Sequence, residues 1–207
     1  MTHGQRLPGE LMRVLEEAGV ALAGVDLFAV AAGPGSFTGL RVGIATIQGL
    51  AMARGAKVVA VSALDALARA GVNARRPIGA WMDAQRGEVF AALYGPDGDD
   101  LLITATAMTP DLVLKMWAAS TDIGQVTFVG DGAVRYEDIL SARTGGDAQI
   151  LPPPPLAGLI GQIAALTPGR AVLPHALAPL YIRRPDAELA RARRQDQAAS
   201  ATEPHAE

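Results

Sequence analysis

The sequence predicts an α/β protein, and three observations carry that prediction. First, a short apolar run, Asp26-Leu27-Phe28-Ala29-Val30-Ala31-Ala32, leads through a glycine-rich turn into a helical pattern from about Thr38 to Arg54, and a second apolar run, Lys57-Val58-Val59-Ala60-Val61, follows at once. Strand, helix and strand in close succession read as a parallel crossover unit. Second, Pro77 to Asp83 and Glu88 to Tyr94 read as a hairpin bounded by Gly95-Pro96-Asp97-Gly98. Third, helical and extended patterns alternate through the second half of the chain.

The elements follow in order. Leu7, Leu11, Val14, Leu15 and Ala18 recur at helical spacing, with Gly19 as a stop, so the chain enters a helix almost at once. After the crossover unit, Ser62 to Ala70 reads as a short helix and leads to the hairpin. Then come a helix near Pro110 to Ala119, a strand at Val126 to Gly130, a helix at Ala133 to Ala142, and a proline run at 152–155 that serves as a spacer before a helix from Leu156 to Leu166. From these patterns we expect a subdomain over 1–95, a second over 96–185, and a solvated tail over 186–207, where Arg191, Arg193 and Arg194 cluster in a polar sequence.

The most informative stretch is the turn Gly33-Pro34-Gly35-Ser36-Phe37-Thr38 and the helix after it. A phosphate-binding P-loop needs Gly-Lys-Ser/Thr at the helix start; the chain reads Thr38-Gly39-Leu40 there. A dinucleotide-binding turn needs an acidic residue about 20 positions on, at the end of the next strand; that strand ends in Ser62-Ala63. Packing remains. On a helical wheel Leu40, Ile44, Ile47 and Ala51 form a bulky strip, Gly39, Gly43, Thr46, Leu50 and Ala53 a nearly flat one, and Arg41 with Gln48 a polar side. A glycine inside a helix costs roughly 1 kcal/mol against alanine, so Gly43 and Gly49 call for a compensating close approach. We expect the bulky strip on a sheet and the flat strip against a second helix, of this chain or of another. Ser36 and Thr38 suit caps that satisfy the first backbone donors, with anion binding at the same helix start as the sharper alternative. Arg41 suits either a phosphate or carboxylate contact or simple solvation.

Composition narrows the function classes. With 50% hydrophobic and 19% charged residues the 207-residue chain can build real cores, and zero cysteines exclude disulfides and thiol chemistry. A formal charge of -3 carries no nucleic-acid signal in bulk electrostatics. His3, His175 and His205 lie far apart and show no metal-site spacing. Asp83 and Glu88 flank Arg86-Gly87, where they suit hairpin shaping and pairing with arginine rather than a two-carboxylate catalytic site. No segment has the apolar length of a membrane span, and the N-terminus lacks the apolar core of a signal peptide, so the expected location is the cytoplasm.

Residues 33–51 closely resemble the signature of the TsaB (YeaZ) family, which supports synthesis of threonylcarbamoyladenosine (t6A) in tRNA. Met82-Asp83-Ala84-Gln85-Arg86-Gly87-Glu88-Val89-Phe90 is similar to a second family motif, and Pro179-Leu180-Tyr181-Ile182-Arg183 to a third. The resemblance runs from about His3 to Asp186. It implies a sugar-kinase/Hsp70/actin-like (ASKHA) fold and a noncatalytic scaffold subunit that binds and activates the catalytic paralogue TsaD and helps recruit the ATPase TsaE. It also implies a homodimer when alone, contact with tRNA only through the complex, and no cofactor of its own, with ATP or ADP confined to the partner interface. Where the catalytic paralogue carries a His-x-x-x-His metal pair, this chain has Ala63 and Leu67. Family members carry a strand-rich segment ahead of the first helix, so we expect a first subdomain short of its opening strands and a reading frame that continues upstream of Met1. Joined to the wheel above, the resemblance assigns Gly39, Arg41, Gly43, Thr46, Leu50 and Ala53 to a partner interface, and it assigns no catalytic, cofactor or metal residue. The alternatives are an ATP-dependent kinase or peptidase-like enzyme of the same fold and, third, a homodimeric interaction module.

Overall fold

The computed structural model describes residues 3–72 and 75–183. The expected tail at 186–207, with its arginine cluster and His205, lies outside the described residues, as does the side chain of His3. Helix α1 (His3–Glu17) and a single 3-10 turn lead to strand β1 (Leu27–Gly33), helix α2 (Phe37–Arg54) and strand β2 (Lys57–Ser62). The strands pair in parallel, Leu27 opposite Lys57 through Ala31 opposite Val61. The helix between them makes that pairing geometrically available.

Alternation along β1 sends its side chains to two cores. Phe28 and Val30 meet Ile44, Ile47 and Ala51, which are the inner strip of α2. Leu27, Ala29 and Ala31 instead face Ile160, Ile163 and Ala164 of helix α7 (Leu156–Leu166). Covered on both faces, both strands can be apolar throughout. Among the described residues this sheet holds β1 and β2. Val172 bridges to Val58 on the far edge of β2, and the amide of Leu180 donates to the Ala32 carbonyl at 2.7 Å.

Helix α3 (Ala63–Ala70) is capped by Ser62, whose side chain accepts from the amides of Leu64 and Asp65. It then sits between the two halves. Ala66 joins the α7 core, while Leu64, Leu67 and Ala68 join Ile78, Ala80, Ala92 and Val129 of a second sheet. That sheet comprises β3 (Ile78–Asp83), β4 (Val89–Tyr94), β5 (Leu101–Met108), β6 (Thr127–Val129) and β7 (Gln149–Leu151) in the order β5-β4-β3-β6-β7. Its opposite face carries α4 (Pro110–Trp117) and α6 (Glu137–Thr144), which enclose Trp81, Trp117, Phe128, Leu114 and Leu140.

Several expectations change. The division between residues 95 and 96 falls inside the β4–β5 ladder, where Val89 faces Met108 and Tyr94 faces Leu101. The sheets separate instead between Ser62 and Ile78, because the hairpin strand β3 also pairs in parallel with β6. The helix expected at 133–142 is two, α5 (Asp131–Arg135) and α6, broken at Tyr136, whose backbone leaves the helical region at φ -111° and ψ 27°. Strands β5 and β7 were not expected. β5 and β7 are the two edges of the sheet, and β7 is three residues long.

One buried contact fastens α3 to β4. The Tyr94 hydroxyl donates to Asp65 Oδ1 at 2.8 Å. Burial, and then the negative charge of Asp65, push the Tyr94 hydroxyl well above its usual ionisation range. The folded protein therefore keeps this proton where the unfolded chain releases it, from about pH 10 upward. Stability from this group should be complete below that pH and fall as pH rises beyond it, by at most about 1.4 kcal/mol per pH unit. In urea titrations Tyr94→Phe should cost about 1 kcal/mol at neutral pH and flatten the alkaline decline. An unchanged alkaline slope in the variant would show that other groups produce it.

Candidate functional site

The three sequence motifs, far apart in the chain, meet at one place. Gly33 ends β1 with φ 131°, a conformation that L side chains rarely adopt, and a Cβ there would collide with the Leu180 carbonyl oxygen. Glycine is thus required twice over, by conformation and by space. The turn then packs Gly35 against Leu40. Ser36 takes the N-cap of α2 and accepts from the Gly39 amide at 3.4 Å. Thr38, expected as a second cap, lies inside the first helical turn and caps nothing.

From Leu177 to Arg183 the chain forms a strap across this turn. Leu177 is buried with Phe28, Ile44 and Ile47. Gln48, expected on the polar side of the helix, donates from Nε2 to the carbonyls of Pro174 and Leu177 at 2.8 and 3.3 Å. The Tyr181 ring stacks on Phe37 with centroids 5.4 Å apart, and the Arg41 guanidinium lies over Phe37 at 3.9 Å. Arg41 Nε also donates to the Tyr181 hydroxyl at 3.3 Å. Arg41 is exposed yet held, which supports a cation-π contact of about 0.5–1 kcal/mol.

The strap then reaches the second motif. Arg183 Nη1 donates to Glu88 Oε2 at 2.7 Å, and its guanidinium stands 5.8 Å from the Phe90 centroid. Glu88 follows a turn in which Gln85, Arg86 and Gly87 all have positive φ, at 61°, 57° and 77°. Asp83 secures that turn by accepting from the Gln85 amide and Nε2 at 3.0 and 2.8 Å, and Arg135 approaches Asp83 Oδ2 at 3.7 Å. Both carboxylates are therefore engaged in shaping the hairpin and pairing with arginine, as their spacing suggested.

The residues assigned to a partner interface divide by position. Gly39, Arg41 and Ala53 are exposed, and Gly43 and Thr46 half-buried. Thr46 donates to the Val42 carbonyl at 2.8 Å within its own helix. Leu50 turns inward and packs with Leu11 of α1 against the core of the first sheet, so part of the flat strip is covered by this chain's own helix. At Gly43 and Gly49 no described atom outside the chain neighbours and the helix's own adjacent backbone lies within 4 Å of where a Cβ would stand. Packing within the described chain requires neither glycine. Ala63 and Leu67 are buried at 3% and 1% exposure, with Leu67 against Gly130.

A family model described as TsaD, tRNA N6-adenosine threonylcarbamoyltransferase, matches residues 1–137. The chain is 29% identical over 189 residues to the tRNA threonylcarbamoyladenosine biosynthesis protein TsaB of Escherichia coli, covering 87% of this chain and 80% of the relative. Among solved structures it superposes on YeaZ from Pseudomonas aeruginosa with a TM-score of 0.70 and 30% identity, covering 86% of this chain and 84% of that one. A second structure, of an uncharacterized protein with similarity to peptidase YeaZ from Pseudomonas aeruginosa, gives 0.73 and 32%, covering 88% and 85%. The architecture is thus that of an ASKHA-fold protein in which a glycine turn and a C-terminal strap tie two sheets together. The chain belongs to the TsaB (YeaZ) family.

Sequence reading singled out the three motifs but could not show that they converge. Arg41 and Tyr181 are 140 residues apart, and no local pattern joins them. Gly33→Ala should therefore do more than strain one residue. Loss of the Leu180 close approach and the forced φ should cost at least about 2 kcal/mol in chemical denaturation. Limited proteolysis should then cut the strap faster than in the parent chain. Parent-like stability would mean that the Leu180 contact is dispensable.

Proposed function

We propose that this chain is the noncatalytic scaffold subunit of the machinery that makes threonylcarbamoyladenosine in tRNA, acting in the cytoplasm. It binds and stabilises the transferase TsaD through the exposed side of α2 and helps recruit the ATPase TsaE. Its own chemistry is nil; ATP or ADP enters only at the subunit interface, and tRNA is met through the complex. Alone, the same helix face pairs with a second copy.

The observation that carries this reading is the open space at Gly43 and Gly49. Each glycine costs the helix roughly 1 kcal/mol, and no described atom packs where their side chains would be. A helix from another subunit, approaching closely over Gly39, Gly43 and Ala53, supplies the missing compensation. Ala63 and Leu67 add a second support, because two buried apolar side chains stand where the catalytic paralogue carries its histidine pair. Neither can ligate a metal.

Gly43→Leu should abolish or strongly weaken co-purification with TsaD while leaving circular dichroism unchanged, since its side chain points into open space in the isolated chain. In a tRNA modification assay with each subunit omitted in turn, product should require TsaD and fall when this chain is left out. Undiminished association of a folded Gly43→Leu variant would remove α2 from the interface. Product formed by this chain without TsaD would replace the scaffold reading with an enzymatic one.

A further inference from the structure

We propose that the end of the strap, residues 178–183, is a clasp that opens and closes over the junction of the two sheets as one unit while both sheets stay folded, and that the Arg183–Glu88 ion pair holds it shut. The inference concerns this chain by itself and does not depend on what it assembles with.

The chain that leads into the clasp is held unequally along its length. Up to Leu177 it is anchored: Val172 exchanges two 2.9 Å backbone bonds with Val58, Pro174 and Leu177 are buried, and the carbonyls of both accept from Gln48. Beyond Leu177 there is no regular secondary structure, and the bond from the Leu180 amide to the Ala32 carbonyl is the one backbone hydrogen bond that residues 178–183 make among the described residues. Side chains do the rest of the closing, each on a different element. Tyr181 stacks on Phe37 of α2 and accepts from Arg41, Ile182 packs into the core that α3 shares with the second sheet, and Arg183 pairs with Glu88 just ahead of β4.

A segment with one backbone bond and half-exposed side chains opens at lower free energy than the sheets beneath it; Leu180 and Tyr181 are 47% and 39% exposed. Leu177, the last buried residue before Ala178-Pro179, is the pivot. The Arg183–Glu88 pair is the contact farthest from that pivot. Its side chains are 26% and 32% exposed, shielded enough for the 2.7 Å charge-assisted bond to outweigh an ordinary surface pair and open enough for salt to reach it. Opening uncovers Gly33, Phe37 and Phe90 together and frees Glu88 beside the turn in which Gln85, Arg86 and Gly87 stand at positive φ. The clasp thus governs access to the glycine turn.

Amide hydrogen exchange followed by NMR on the full-length chain tests this, with the Leu180 amide reporting on the clasp and the strand amides of Val59 and Phe128 on the two sheets. In the parent, protection of Leu180 should be at least about tenfold lower than that of either strand amide. Glu88→Gln should lower it about tenfold further, the usual effect of losing a hydrogen bond to a charged group, and leave Val59 and Phe128 within about twofold of the parent. Arg183→Gln should do the same, and the double variant should be no worse than either single one, because the two side chains act as a pair. Added salt should speed exchange at Leu180 in the parent and not in Glu88→Gln. Equal protection of Leu180, Val59 and Phe128 in the parent would overturn the opening unit, since the strap would then come free only when the whole chain unfolds. Parent-like protection of Leu180 in Glu88→Gln, or additive losses in the double variant, would overturn the ion pair as the element that holds it shut.

Discussion

The close passage of Leu180 over the end of β1 is the constraint on which the rest of the molecule depends. The amide of Leu180 bonds Ala32, and its carbonyl occupies the place of a side chain at Gly33. That single register fixes where the strap lies. From it follow Leu177 in the first core, Gln48 tied to the strap's backbone, and Arg183 delivered to Glu88 in the second sheet. A glycine turn that looks like a feature of one helix start is thus the seat for a segment nearly 150 residues further along the chain.

This arrangement clarifies what the fold does with its parts. β1 and β2 have apolar helices on both faces, so their backbone is shielded in depth. α3 is a shared wall, with successive residues facing different sheets. Ala63 and Leu67, one turn apart on that helix, are both spent on packing. Such a body is suited to holding a surface in shape, and the exposed side of α2 is the surface whose small residues its own interior leaves unexplained.

Much of this was legible in the residues, and the remainder had physical reasons to be hidden. The crossover unit was plain because an apolar run of strand length, a turn and a periodic helix fall within one short window; the inward strip of α2 matched Ile44, Ile47 and Ala51 for the same reason. Leu50, expected to face a second helix of this chain or of another, packs beside Leu11 of this chain's own α1. β5 carries alternating β-branched residues in Thr104-Ala105-Thr106-Ala107, a signal that was present, whereas β7 is too short for any periodicity and pairs with β6 alone among the described strands. The convergence of the three motifs lies beyond any window of sequence. It is a product of tertiary closure, and only the resemblance to a family hinted that the motifs belonged together.

The aromatic cluster of the second sheet has a consequence for how this protein can be watched. Both tryptophans of the chain, Trp81 and Trp117, lie in it, with centroids 5.9 Å apart and Phe128 against each at 5.4 and 6.1 Å. Both indoles are fully buried. Tryptophan fluorescence therefore reports on the five-stranded sheet. The half that carries the glycine turn and α2 holds Tyr181 but no tryptophan, so a probe that reads only indole emission would record the protein as intact while that half came apart.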